Sequence, residues 1–407
     1  MKCGLLGRKL GHSYSPQIHA LLGNYSYQLF EKEPEEIGDF LKSGDFTGLN
    51  VTIPYKKEVI PFLDELSPAA ARLGAVNTIV RRDGKLIGHN TDYFGFRRLV
   101  QESGLQVAGK KVLVLGSGGA SSTAVAVLQE LGAKVTVISR SGENNYENLD
   151  RHADAAVIAN TTPVGMYPNT GKSALSLEGF PRLEGVLDAV YNPARTQILL
   201  DAEHRGLAAV NGLWMLVAQA KESAEWFTGE EIPDSRIAKI HHTLRLQMEN
   251  IILIGMPGCG KTAVGQQLAQ KLGKKFVDAD ESLEARVCRK ITDIIPNDGE
   301  AAFREMETET LAELGKQSGL VIATGGGCVT QPQNYPLLHQ NGTIFWLKRE
   351  LDKLPTDGRP LSQKGTLGQM YEARIPLYLR FADAAISNDG SIAETAAVIC
   401  RKLEETT

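Results

Sequence analysis

Residues 111–120 read Lys111-Val-Leu-Val-Leu-Gly116-Ser-Gly118-Gly119-Ala120, and residues 251–262 read Ile251-Ile-Leu-Ile-Gly255-Met-Pro-Gly258-Cys-Gly260-Lys261-Thr262. Each is an apolar run closed by a glycine-rich loop, the pattern of a buried strand that turns into a helix. After the first come Ser121 to Gly132, with alanine, valine and leucine at helical spacing, and then Lys134-Val-Thr-Val-Ile138 as a strand. After the second, Ala263 to Leu272 is helical in pattern and closed by Gly273, and Lys275-Phe-Val277 reads as a strand. Two βαβ units therefore share one chain, and the expected fold class is α/β with parallel sheets. Both loops are candidate phosphate sites, because a glycine loop opening a helix presents free backbone N–H groups to anions.

The chain has 407 residues, which at about 150 residues per domain suggests two or three domains. Its 44 Lys and Arg nearly balance 48 Asp and Glu, for a net charge of −4. That balance offers no electrostatic reason to expect nucleic acid or anionic lipid as partner, so small-molecule ligands are expected. No apolar stretch approaches the roughly 18 residues of a membrane span, and the start, Met1 to Gly11, has no apolar leader core. A cytoplasmic location is the expectation. Five scattered cysteines (Cys3, Cys259, Cys288, Cys328, Cys400) with no C-x-x-C spacing indicate neither a zinc site nor a disulfide framework. The polar stretch Trp226 to Met248 reads as a surface helix and connector, with His241 and His242 as solvated connector residues and the main boundary near Met248.

In the first half, Gly116, Gly118, Gly119 and Ala120 form a dinucleotide-type loop, with Ser121 where a small apolar residue is usual. The second strand ends in Ser139-Arg140-Ser141 rather than an acidic residue, and a cation there suits a 2′-phosphate, so NADP is favoured over NAD. Upstream and downstream lie His12-Ser13-Tyr-Ser15-Pro, Asn50-Val-Thr52-Ile-Pro-Tyr-Lys56-Lys, Gly74-Ala-Val-Asn77-Thr, Gly88-His-Asn-Thr-Asp92, Asn160-Thr-Thr-Pro-Val-Gly-Met166, Asp188-Ala-Val-Tyr191-Asn-Pro and Gly212-Leu-Trp-Met-Leu-Val-Ala-Gln219. In order, over about 1 to 240, this set resembles shikimate dehydrogenase. The resemblance implies a substrate domain over 1–92 plus 212–240, an NADP domain over 93–211, and a ligand cleft between these lobes. It also implies that Ser13 and Ser15 bind the substrate carboxylate, that Thr52, Asn77, Asp92 and Gln219 bind its hydroxyls with Tyr191 on the same side, and that Lys56 with Asp92 is the catalytic pair. The chemistry agrees, since an alkoxide formed from a ring ketone needs a proton donor beside it.

In the second half, Gly255 to Thr262 is a complete G-x-x-x-x-G-K-S/T in strand and helix context, where Gly255, Gly258 and Gly260 let backbone amides cradle phosphates. Lys261 then reaches the β and γ groups of a nucleotide and Thr262 takes Mg²⁺, a pattern shared by ATPases, GTPases and small-molecule kinases. Phe276-Val-Asp278-Ala-Asp280 places two carboxylates at a strand end, spaced by two as the pleat requires, and Arg304 has Glu307 at i+3 to orient it. With Thr324-Gly325-Gly326-Gly327, Gly358-Arg359-Pro-Leu and Arg374-Ile-Pro-Leu-Tyr378, the set over 249 to about 390 resembles shikimate kinase. The resemblance implies Asp280 as ring-hydroxyl ligand and candidate base, Asp278 in the Mg²⁺ water shell, Arg304 and Arg374 on the carboxylate, Gly325 to Gly327 along the acceptor, and Arg359 in a lid over the phosphoryl group. No arginine lies between Leu351 and Gly358, where Lys353 is the cation. Residues 241–248 are then a linker and 249–407 a P-loop kinase domain. The combined expectation is a bifunctional enzyme, monomer or homodimer, that reduces 3-dehydroshikimate with NADPH and phosphorylates shikimate with ATP. Two rivals stay open at this level: an NAD-linked enzyme acting on quinate, and a half that only senses its ligand.

Overall fold

The computed structural model describes residues 1–11, 13–354 and 367–405. Arg359 lies outside them. The described residues build three sheets, each formed by a separate stretch of chain. The chain divides into two compact units: Met1–Val164 with Lys172–Tyr191 and Ile198–His242, and Gly165–Gly171 with Asn192–Gln197 and Thr243–Thr407. No described helix is long and apolar enough to cross a membrane.

The first sheet contains β1 (Lys2–Gly7), β2 (Ser26–Glu31), β3 (Gly48–Val51), β4 (Glu65–Leu66), β5 (Thr78–Arg82) and β6 (Lys85–His89), in the order β2-β1-β3-β5-β6-β4. It is mixed: β1 runs parallel to β2 and β3, while β5 is antiparallel to β3 and β6. The second sheet contains β7 (Lys111–Leu115), β8 (Lys134–Ile138), β9 (Val157–Asn160), β10 (Gly185–Asp188) and β11 (Ala208–Val210), all parallel, in the order β11-β10-β9-β7-β8. The third contains β12 (Asn250–Ile254), β13 (Lys275–Asp278), β14 (Leu320–Ala323), β15 (Gly342–Lys348) and β16 (Ala384–Ser387), again all parallel, in the order β13-β14-β12-β15-β16.

The two apolar runs that head the sequence argument are β7 and β12, and both sit inside their sheets with neighbours on each edge. Every residue of β12 is buried, which is why its sequence alternates nowhere: helices cover both faces of a parallel sheet. Strand β8 is at an edge and only Ile138 is fully buried, so threonine and lysine are tolerated there. In both parallel sheets later strands lie on both sides of the strand before the glycine loop, β8 and β9 flanking β7 and β14 and β15 flanking β12, which opens a crevice beyond its carboxyl end. Gly116 and Gly255 occupy those two places.

Residues 241–248 differ from the expected linker: they are the last two turns of a continuous helix, Ser235–Met248. Its Ile237, Ile240, Leu244 and Met248 are buried, a stripe at spacings of three and four that the surrounding charges mask in the sequence. His241 is correspondingly no solvated connector residue, because its ring stacks on Trp214 at 3.7 Å between centroids and 8° between planes.

Candidate functional site

Two cavities collect the chemistry. The first, of about 230 Å³, lies within the first unit and is lined by Ser13, Ser15, Thr52, Lys56, Asn77, Asp92, Tyr191 and Gln219, together with Asn50 and Met215. These expected residues come from segments far apart in the chain, and the fold brings all of them to one surface. Strand β3 ends at Val51 and delivers Thr52, with Lys56 in the turn that follows. Asp92 is the first residue of helix Asp92–Glu102, where the helix dipole favours a carboxylate. Gln219 projects from helix Leu213–Thr228, and Tyr191 follows the carboxyl end of β10, packing edge-on against Tyr14 at 6.1 Å.

Lys56 Nζ donates to Asp92 Oδ2 at 2.5 Å. The carboxylate is buried and the ammonium partly so, which makes this a short charge-assisted bond facing the cavity. An ammonium held this way can deliver a proton or stabilise an oxyanion on a ligand atom above it.

The dinucleotide-type loop follows β7. Gly116 has φ +110°, which only glycine adopts readily, and its amide bonds to Ile138 O at 2.8 Å, joining the ends of β7 and β8. Ser121, where a smaller residue is usual, is buried and donates its hydroxyl to Gly116 O at 2.7 Å. The polar side chain therefore closes the turn instead of obstructing it. Helix Gly119–Glu130 starts immediately after the loop. A β-carbon added at Gly118 or Gly119 would meet no protein atom within 4 Å. Packing does not require glycine at these two positions; an open cradle for an approaching pyrophosphate does. Ala120 lies in the first turn of that helix, and Ser139, Arg140 and Ser141 follow β8 at the adjacent strand end, with Arg140 exposed. The donor set fits a dinucleotide carrying a 2′-phosphate.

The second cavity, of about 430 Å³, lies within the second unit and is lined by Gly258, Gly260, Lys261, Thr262, Asp278, Asp280, Arg304, Glu307, Gly325, Gly326, Gly327 and Arg374 among others. The loop after β12 carries three positive φ angles, +144° at Gly255, +82° at Gly258 and +99° at Gly260. A β-carbon at Gly255 would also strike Leu347 O at 2.6 Å. Lys261 is buried, and its Nζ donates to Gly255 O at 2.9 Å and Met256 O at 3.1 Å, folding back over the loop it closes. The Thr262 hydroxyl donates to Asp278 Oδ2 at 3.0 Å. These are hard oxygen donors beside a phosphate loop, a set that fits Mg²⁺.

Asp278 and Asp280 meet by a different route from the pleat expected of them. Strand β13 stops at Asp278, whose Oδ1 caps helix Ala279–Val287 by accepting from Asp280 N at 3.0 Å and Glu281 N at 3.4 Å. Asp280 is thus a helical residue on the cavity wall. Burial, reinforced by the charges of Glu307 and Asp278, pushes its carboxyl up to about 6. Helix Ile291–Lys316 is broken at Gly299 (φ 90°, ψ 163°), and Arg304 sits after the break. Its Nη1 donates to Glu307 Oε2 at 2.7 Å, the i+3 pairing read from the sequence, and Nη2 to Glu300 Oε1 at 3.2 Å. Arg374 comes from helix Leu367–Phe381 and is buried.

The three glycines after β14 are required for another reason than those at 118 and 119. A β-carbon at Gly325 would lie 2.5 Å from Glu307 Oε1 and 2.9 Å from Asp280 Oδ1, one at Gly326 would be 2.6 Å from Pro257 Cδ, and one at Gly327 would collide with the Arg304 guanidinium. The loop is narrow because Glu307, Asp280, Pro257 and Arg304 crowd it. Tyr378, fully buried, donates to Gly326 O at 2.6 Å and holds it there; sequence reading left this tyrosine without a role. Asn50, on the wall of the first cavity, and Thr91 and Ser223, hydrogen-bonded to its lining residues, were missed as well. Their signal was a polar residue in a segment that otherwise reads as buried strand or helix.

Comparison with known proteins finds a family for each half of the chain. The shikimate kinase family model matches residues 257–404. The model of the shikimate dehydrogenase substrate binding domain matches residues 5–79. A shikimate dehydrogenase (NADP(+)) of Clostridium perfringens (strain SM101 / Type A) is 37% identical over 264 residues, covering 60% of this chain and 97% of that protein. Among solved structures, shikimate dehydrogenase 1 from Peptoclostridium difficile matches with a TM-score of 0.55 and 38% identity, over 60% of this chain and 98% of that one. Shikimate 5-dehydrogenase from Thermus thermophilus, in complex with NADP(H) and shikimate, matches with a TM-score of 0.54 and 30% identity, over 60% of this chain and 99% of that one.

Proposed function

The chain belongs to the shikimate dehydrogenase family and carries a shikimate kinase domain after it, and from that premise we propose which residues perform each reaction. It is a bifunctional shikimate-pathway enzyme, an NADP-dependent oxidoreductase and a kinase in one polypeptide. The first site reduces 3-dehydroshikimate to shikimate and the second phosphorylates the 3-hydroxyl of that product. The domain bounds in this reading are 1–92 with 212–240, 93–211 and 249–407. The reading carries with it a cytoplasmic location, small-molecule ligands only, and a monomer or homodimer.

In the first cavity, Ser13 and Ser15 offer hydroxyls to the substrate carboxylate, while Thr52, Asn77, Asp92 and Gln219 face its hydroxyls. NADPH, when bound along Gly116 to Ala120 with Arg140 at its 2′-phosphate, supplies the hydride. Lys56 gives a proton to the carbonyl oxygen as negative charge develops there, and Asp92 holds the ammonium aimed. In the second cavity, Arg304 and Arg374 pair the carboxylate and Asp280 takes the hydroxyl proton. A base with its pKa near 6 is deprotonated at neutral pH yet still basic enough to receive that proton. Lys261 neutralises phosphate charge, Thr262 and Asp278 would hold Mg²⁺, and the role the family resemblance implies for Arg359, outside the described residues, is to meet the transferred group.

The observation that carries the reading is the convergence of Ser13 through Gln219 on one cavity around the Lys56–Asp92 pair. The test is a mass-spectrometric incubation of the purified chain with 3-dehydroshikimate, NADPH and Mg·ATP. Shikimate 3-phosphate is expected from this chain alone; accumulation of shikimate with no phosphorylated product would overturn the kinase assignment, and unreacted 3-dehydroshikimate the reductase assignment.

A further inference from the structure

At the base of the first cavity lies a buried polar network of which the reaction as described uses only Asn77. Asn77, Thr78, Thr91, Asn50 and Ser223 are all at most 5% exposed. The backbone N–H of Thr91 lies 2.7 Å from one end of the Asn77 carboxamide. A backbone N–H can only donate, so the atom it meets is the oxygen, and the orientation of this amide follows from chemistry. Its other end, Nδ2, then donates to Thr91 Oγ1 at 3.0 Å. Thr91 therefore grips both ends of one side chain. Thr78 Oγ1 lies 3.2 Å from the Asn77 oxygen and 2.8 Å from Ser223 Oγ.

The remaining protons close consistently. Ser223 donates to Gln219 O at 2.9 Å and accepts from Asn50 Nδ2 at 2.8 Å, while Thr91 Oγ1 lies 2.9 Å from Ser223 Oγ and 3.5 Å from Gln219 Oε1. Thr91 Oγ1 accepts from Asn77, and Ser223 Oγ at 2.9 Å is the nearest partner of its hydroxyl, ahead of Asn77 Oδ1 at 3.2 Å and Thr78 Oγ1 at 3.3 Å. One threonine thus ties Asn77 to the helix that carries Gln219. A single valence of Asn77 stays unused, the second hydrogen on Nδ2, and Asn77 lines the cavity.

We propose that Thr91 is a positioning residue that holds Asn77 as an obligate hydrogen-bond donor toward an oxygen of the bound ring acid. The inference rests on the substrate class assigned above and adds a polarity: at this position the site reads an acceptor lone pair. A ligand whose only group there is a donor is rejected, because the Asn77 oxygen is turned away and cannot rotate without leaving the Thr91 amide unpaired.

The test compares full-length Thr91→Val, Thr91→Ser and Asn77→Asp with the wild type. Valine keeps the shape and the backbone N–H and removes only the hydroxyl. Loss of one buried hydrogen bond predicts a rise of about tenfold in KM for 3-dehydroshikimate, with kcat changed less than about threefold and KM for NADPH unchanged. Serine restores KM. Aspartate at 77 offers oxygen on both sides and cannot donate, so the dissociation constant for shikimate, read by calorimetry without turnover, rises at least about tenfold. Wild-type KM in Thr91→Val, a serine variant as weak as valine, or unchanged or tighter shikimate binding by Asn77→Asp would each overturn the proposal. Wild-type turnover in the same series tests the assigned activity separately, since calorimetric ratios stand without it.

Discussion

At the level of single side chains, the two sites solve opposite electrostatic problems. Lys56 Nζ donates to Asp92 Oδ2 at 2.5 Å, a pairing of opposite groups that aims the proton donor. Asp280 instead sits on a half-buried cavity wall beside the charges of Glu307 and Asp278, and its carboxyl is held up at about 6. The consequence has a definite sign. As the required base, Asp280 must be ionised, so kinase kcat/KM should fall with unit slope as pH drops through about 6, while Glu307→Gln, by removing a like charge, should move that limb to lower pH. A pH–rate profile without such an acid limb would remove Asp280 from the role of base. The same group contributes to stability in the opposite sense from a paired surface carboxylate such as Asp298. Its folded pKa lies above the ordinary 3.8, so its contribution is complete below that value and is lost as pH rises through about 6.

At the level of elements, glycines with the same sequence appearance do different work. Gly325, Gly326 and Gly327 are crowded by Glu307, Pro257 and Arg304, whereas Gly118 and Gly119 face open space. Gly118 has φ −87° and ψ −171°, which alanine adopts without strain. Gly118→Ala should therefore leave the thermal midpoint within about 2 °C of wild type, because nothing in the protein meets the added methyl. KM for NADPH should rise by about tenfold or more, because the methyl fills the cradle. A destabilised variant with normal NADPH affinity would mark Gly118 as a packing glycine. The strand and helix boundaries of both βαβ units were legible from apolar runs and glycine stops, since these are local signals. The helix Ser235–Met248 reads as a surface helix, but its buried side was not legible, because Ile237, Ile240, Leu244 and Met248 form a stripe only once the helix winds and buries it.

At the level of the whole chain, two cavities in two units predict separable chemistry. Lys56→Ala should cost reduction about 10²- to 10⁴-fold and leave phosphorylation at wild-type rate, and Lys261→Ala should do the reverse. Separate NADPH-linked and ATP-linked assays on each variant decide this, and silencing of both activities by either change in a folded protein would refute two independent sites. The α/β class, the two phosphate loops and the cation at the end of β8 follow from residues adjacent in sequence, because strand, turn and helix-start chemistry acts over a few positions. What needed the folded chain was of another kind. The encounter of Ser13 with Gln219, the helix cap that aims Asp280, the crowding behind Gly325 and the grip of Thr91 on Asn77 all join atoms far apart in sequence or fixed by a specific backbone direction. Such contacts depend on sheet order and burial, which emerge only when the apolar runs pack together and exclude water.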